Sequence, residues 1–129
     1  MSFILVPSEG EDLKVNAWNW RPTLELLFAS RVITEEDHVL MGCNGCGARV
    51  DAEKARRIAQ VVSRKLTGMN PGERMLADLS VTSEPKKRVV VRPDMNDDEI
   101  DGNDLYSTAF EWLETFLRFC RSSGGFKVV

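Results

Sequence analysis

The sequence predicts a single α+β domain over residues 1–129, a small and mostly antiparallel sheet with three to four helices packed on it. Three observations predict it. Alternating and β-branched runs near the N-terminus read as a hairpin. Later stretches carry apolar residues at helical spacing behind clear capping residues. A length of 129 residues with 43% apolar and 29% charged composition supports one core but not two.

Taken in order, Phe3 to Val6 is a short apolar run bounded by Pro7 and Gly10, which reads as a strand. Leu13 to Trp18 alternates with period two, so it forms the second strand, with Ser8 to Asp12 as the turn. That alternation places Leu13, Val15 and Ala17 on one face and Trp18 with Trp20 on the other. Pro22 suits the first turn of a helix, and Leu24, Leu27 and Phe28 follow at helical spacing to Ser30. Thr34 caps a short helix to about Met41, with Glu35, Glu36 and Asp37 favourably placed at its positive end. Asp51 caps the clearest helix, in which Ala52, Ala55, Ile58, Ala59, Val62 and Leu66 share a face and Gly68 takes the C-terminal position. Asn70-Pro71-Gly72 is a turn; Met75 to Thr82 reads as strand or short helix, with strand favoured after Leu79. Arg88 to Arg92 is a β-branched strand ending at Pro93. A last helix runs from about Asp104 to Ser122, its broad apolar face formed by Leu105, Ala109, Trp112, Leu113, Phe116, Leu117 and Cys120. Phe126 to Val129 adds a final short strand.

Charge and composition exclude several functions. The sum of 17 basic and 20 acidic residues is −3, which argues against nucleic-acid binding as the main task. No run approaches the roughly 18 apolar residues of a membrane span, so no membrane partner is expected. The N-terminus lacks the basic start and long apolar run of a signal peptide, and three cysteines is an odd count. A cytoplasmic location with free thiols is the expectation. Nothing in the sequence sets an oligomeric state. No Gly-x-Ser-x-Gly, Walker or dinucleotide fingerprint occurs, so the reading leans away from an enzyme and assigns no catalytic residue.

Three stretches carry chemistry. Cys43-Asn44-Gly45-Cys46-Gly47 holds two thiols three residues apart in a turn, and over these five residues it resembles the knuckle of zinc ribbons. A structural zinc wants four ligands. The second Cys pair of a ribbon is missing here, which leaves His38 and Cys120 to complete a set. No cofactor is expected; zinc on Cys43, Cys46 and His38 is the one these residues would allow. The same pair as a redox dithiol is a further reading, although Gly45 and Gly47 break the helix start that lowers a catalytic thiol's pKa. A tight structural loop over Gly42 to Gly47, its thiols packed beneath neighbouring side chains, is the plainest reading and the one favoured for the loop itself.

Trp18-Asn19-Trp20-Arg21 concentrates indole faces and a cation, the residue types enriched at interaction hot spots. One ring filling the core while the other caps a helix end is the competing reading. Asp94, Asp97, Asp98, Glu99, Asp101 and Asp104 form an acidic run. It starts like a calcium loop, but the twelfth position holds Thr108 where a glutamate is required. Docking of Asp97, Asp98, Glu99 and Asp101 on a protein partner with a basic surface is the alternative. Lys54, Arg56, Arg57, Arg64 and Lys65 on the helix after Asp51 read as a solvated face. The expected function is therefore a non-enzymatic protein-interaction module of inhibitor or immunity type, using Trp18, Trp20, Arg21 and the acidic run. A zinc-binding or thiol-redox domain on Cys43 and Cys46 is the alternative.

Overall fold

A computed structural model describes residues 2–84 and 106–129. The predicted strand Arg88 to Arg92, the acidic run and Leu105 lie outside the described residues. In chain order the elements are β1 (Ser2–Pro7), β2 (Leu13–Asn16), α1 (Ala17–Ala29), α2 (Glu35–Met41), β3 (Ala48–Val50), α3 (Ala52–Thr67), β4 (Arg74–Leu76), β5 (Val81–Thr82), β6 (Ser107–Ala109), α4 (Phe110–Ser122) and β7 (Phe126–Val128).

Among the described residues the strands form two antiparallel sheets, one in the order β2-β1-β7-β3 and one in the order β5-β4-β6. The expected hairpin is present, with Phe3 opposite Val15 and Leu5 opposite Leu13. The final strand is more central than its length suggests. β7 sits between β1 and β3, pairing Val128 with both Leu5 and Ala48. Phe3, Leu5, Val15, Val50, Phe126 and Val128 are buried on one face of this sheet, and Ile4, Val6, Lys14, Arg49 and Lys127 point outward.

The turn into β7 depends on Gly125. Its φ is +104°, and a Cβ there would lie 2.8 Å from the Val50 carbonyl oxygen. Only glycine meets both conditions without strain.

The helices supply the rest of the core. Leu113, Phe116, Leu117 and Cys120 of α4 are buried as expected. Phe116 packs edge-on against Trp20, with ring centroids 5.7 Å apart, and stacks on Trp112 at 5.4 Å. Burying Leu113 and Phe116 in this way contributes about 1.5–3 kcal/mol each relative to exposure. α3 buries Ala55, Ile58, Ala59, Val61 and Val62, and Asp51 caps it by accepting the Lys54 backbone N–H at 2.7 Å.

Two expectations need correction, and a third is extended. The residues before α4 are not helical: Ser107–Ala109 pairs with β4, with Met75 opposite Thr108, and Ala109 is exposed. The strand expected after Leu79 is present as β5, and a further short strand, β4, precedes the turn. Leu76 bonds back across a turn in which Leu79 takes φ 73°, and β5 follows. The second strand also ends earlier than Trp18. Asn16 accepts the Asn19 backbone N–H at 2.9 Å and so starts α1 five residues before Pro22 was expected to open it. Pro22 therefore lies inside the helix, where it removes one backbone donor.

Candidate functional site

That early cap decides the geometry of the site. With Asn16 as cap, residues 18, 21, 25 and 28 follow helical spacing, so Trp18, Arg21, Glu25 and Phe28 share one stripe of α1. Trp20, Leu24 and Leu27 share the neighbouring, buried stripe. The two tryptophans are thus separated by function. Trp20 is 1% exposed and belongs to the core, and Trp18 is 41% exposed. Strand alternation would have put them on one face.

Trp18 lies against Tyr106, with ring centroids 5.1 Å apart and planes 33° from parallel. The Arg21 guanidinium sits over the same Tyr106 ring at 4.5 Å, a cation–π arrangement. Tyr106 immediately precedes β6, so a residue distant in sequence completes a cluster begun by α1. One turn further along α1, Glu25 accepts a hydrogen bond from Nε2 of His38 at 2.9 Å. The other side of the imidazole is bounded by Phe28, with centroids 5.1 Å apart.

Between these groups is a cleft of about 520 Å³, lined by Phe3, Trp18, Trp20, Arg21, Leu24, Glu25, His38, Gly42 and Tyr106 among others. Its volume falls in the range of about 300–1,000 Å³ typical of ligand sites. The floor is apolar, one end carries a guanidinium on an aromatic ring, and the other carries the Glu25–His38 pair. Such a surface can hold a flat or aliphatic group and orient it with charged hydrogen-bond partners.

The sequence-selected residues divide as follows. Trp18, Arg21 and His38, chosen for two different chemistries, line the same cleft. Trp20 lies beneath it and donates its indole Nε1–H to the Met41 carbonyl oxygen. Cys43 and Cys46 follow Gly42 in the loop to β3 and are joined as a disulfide, with Cα atoms 5.5 Å apart. This differs from the free thiols expected. Gly45, at φ 81° between them, lets the backbone turn tightly enough to bring both side chains together. His38 is engaged by Glu25, and Cys120 is buried in α4, where loss of solvation pushes its thiol pKa up. Among the described residues no three His, Cys, Asp or Glu side chains gather as a metal-binding group. Asp97, Asp98, Glu99 and Asp101 lie outside the described residues.

Glu25 and Tyr106 were missed by sequence reasoning. The 18-21-25-28 spacing would have found Glu25 once Asn16 was taken as a cap. Tyr106 carried no local signal.

Among the described residues no helix is long and apolar enough to cross a membrane. Compared with protein-family models, with curated proteins and with solved structures, the chain matches none.

Proposed function

We propose that this chain is a non-enzymatic protein-interaction module, of inhibitor or immunity type, that receives a partner in the α1–α2 cleft. The observation that carries the reading is the Trp18–Tyr106–Arg21 cluster at the mouth of an apolar cleft. Trp, Tyr and Arg are the residues that most often dominate binding energy, and they do so where rings bury against a partner beside a cation. α2, which supplies His38, also exposes Val39 at 63% and Leu40 at 38%. The six carboxylates between residues 94 and 104 give the chain its complement for a basic partner surface. A cytoplasmic location belongs to the same reading.

Affinity capture from native lysate at low and high salt tests it. A specific protein partner whose association slows as salt rises supports the reading; repeated recovery of none counts against it.

The disulfide favours a second reading over zinc. Cys46 is exposed and already paired with Cys43, so exchange with a dithiol substrate needs no further residue. Zinc on Cys43, Cys46 and His38 would first need the disulfide reduced and His38 released from Glu25. Elemental analysis of reduced protein separates the two.

A further inference from the structure

We infer that the groove between α3 and the end of α4 binds a ligand carrying clustered phosphate groups. The basic residues of α3 read in sequence as an ordinary solvated face, and the structure gives three arginines a more specific arrangement. Arg56, Gln60 and Arg64 follow at four-residue intervals on α3, with Ser63 beside them, and Arg121 reaches the same groove from α4. The groove has a volume of about 530 Å³, and no carboxylate lines it. Among the described residues none of the three guanidinium groups takes part in an ion pair, whereas their neighbour Arg57 pairs with Glu53 at 3.1 Å. Three like charges therefore line one concavity with no compensating carboxylate among the described residues, in a chain whose net charge is −3.

Guanidinium groups present planar forks of donors that match phosphate oxygens two at a time. Gln60 and Ser63 add neutral donors between them. The lining holds no aromatic ring on which a base could stack, which argues against single-stranded nucleic acid. Its size instead suits a small polyphosphorylated molecule or the headgroup of a phosphorylated lipid, and these share the chemistry proposed. The groove has no lining residue in common with the cleft of Trp18 and Arg21, so the two sites stand or fall separately.

The test uses the full chain with inorganic tripolyphosphate as probe, sodium chloride at matched ionic strength as control, and melting temperature and NMR shift mapping as readouts. The expected result is a raised melting temperature with shifts centred on Arg56, Gln60, Arg64 and Arg121. Arg56→Gln, Arg64→Gln and Arg121→Gln should each weaken binding about tenfold, the size of one lost charged hydrogen bond. Lys14→Gln, on the outward face of β2, should leave it unchanged. Flotation with phosphatidylcholine vesicles, plain or doped with phosphatidylinositol bisphosphate, distinguishes the sources. Retention on doped vesicles that tripolyphosphate displaces assigns the headgroup, and binding of soluble tripolyphosphate without retention assigns a free ligand. No response to tripolyphosphate beyond the salt control, or equal binding by the three glutamine variants, overturns the inference.

Discussion

The indole Nε1 of Trp20 donates to the Met41 carbonyl oxygen across 2.9 Å in a buried setting, and this bond ties the first turn of α1 to the last residue of α2. It fixes the angle at which the two helices frame the cleft. The same ring packs edge-on against Phe116, so the cleft floor is continuous with the core. Trp20→Phe keeps a ring but leaves the Met41 oxygen without its donor and a void beside Phe116. The expected loss is about 2–3 kcal/mol of stability, read from the midpoint of urea unfolding.

Two glycines with positive φ should respond very differently to alanine. At Gly125 the new methyl meets the Val50 carbonyl at 2.8 Å, and at Gly45 nothing lies within 4 Å. Gly125→Ala should cost more than about 3 kcal/mol, because backbone strain adds to a clash that would push β7 off β3. Gly45→Ala should cost about 1 kcal/mol, the left-handed conformation alone. Equal effects on thermal unfolding would contradict this placement of β7.

The Thr34–Asp37 capping box gives stability a defined acid dependence. Burial works against the Asp37 carboxylate. The Lys54 ammonium at 2.9 Å and the hydrogen bonds with Thr34, its backbone N–H donating at 3.2 Å, outweigh it and hold its pKa below the ordinary 3.8. A carboxylate depressed on folding stabilises the protein above its ordinary pKa, and that share is lost as pH falls through the folded value. Asp37→Asn should therefore cost about 1 kcal/mol at neutral pH, and the gap from the parent should close as the solution is acidified well below 3.8. A gap independent of pH would refute the assignment.

The cysteines divide by position. Cys46 is exposed and Cys43 half-buried, and Cys120 is 2% exposed. After reduction two thiols should react with a chromogenic disulfide in the native state, and the third only on unfolding. Three fast thiols would mean that α4 is not packed as described.

The parts of the fold legible in sequence were those governed by local rules. Thr34 and Asp51 announce their helices because a side-chain acceptor at the cap satisfies a nearby backbone donor. Phe3 and Leu5 announce their strand through alternation. The rest depended on distant partners. Ser107–Ala109 continues the helical pattern of the residues after it and is strand only because Met75 lies opposite Thr108. Asn16 was the decisive local miss. The period-two run Leu13 to Trp18 reads as strand, yet one Asx cap turns its end into helix and sends Trp18 outward and Trp20 inward. The site was accordingly half visible. Trp18 and Arg21 stood out by residue type and His38 as the lone imidazole, but their convergence with Tyr106 is a product of tertiary packing.

The central claim is that the outward stripe of α1 recognises a protein. Its most direct measurement compares partner capture by the parent chain and by the Trp18→Ala, Arg21→Glu double variant, with melting temperature as the control for folding. The account predicts that the variant melts within a few degrees of the parent and binds the captured partner at least about thirtyfold more weakly, the loss of roughly 2 kcal/mol typical of a hot-spot residue. Equal binding by the two proteins would contradict it.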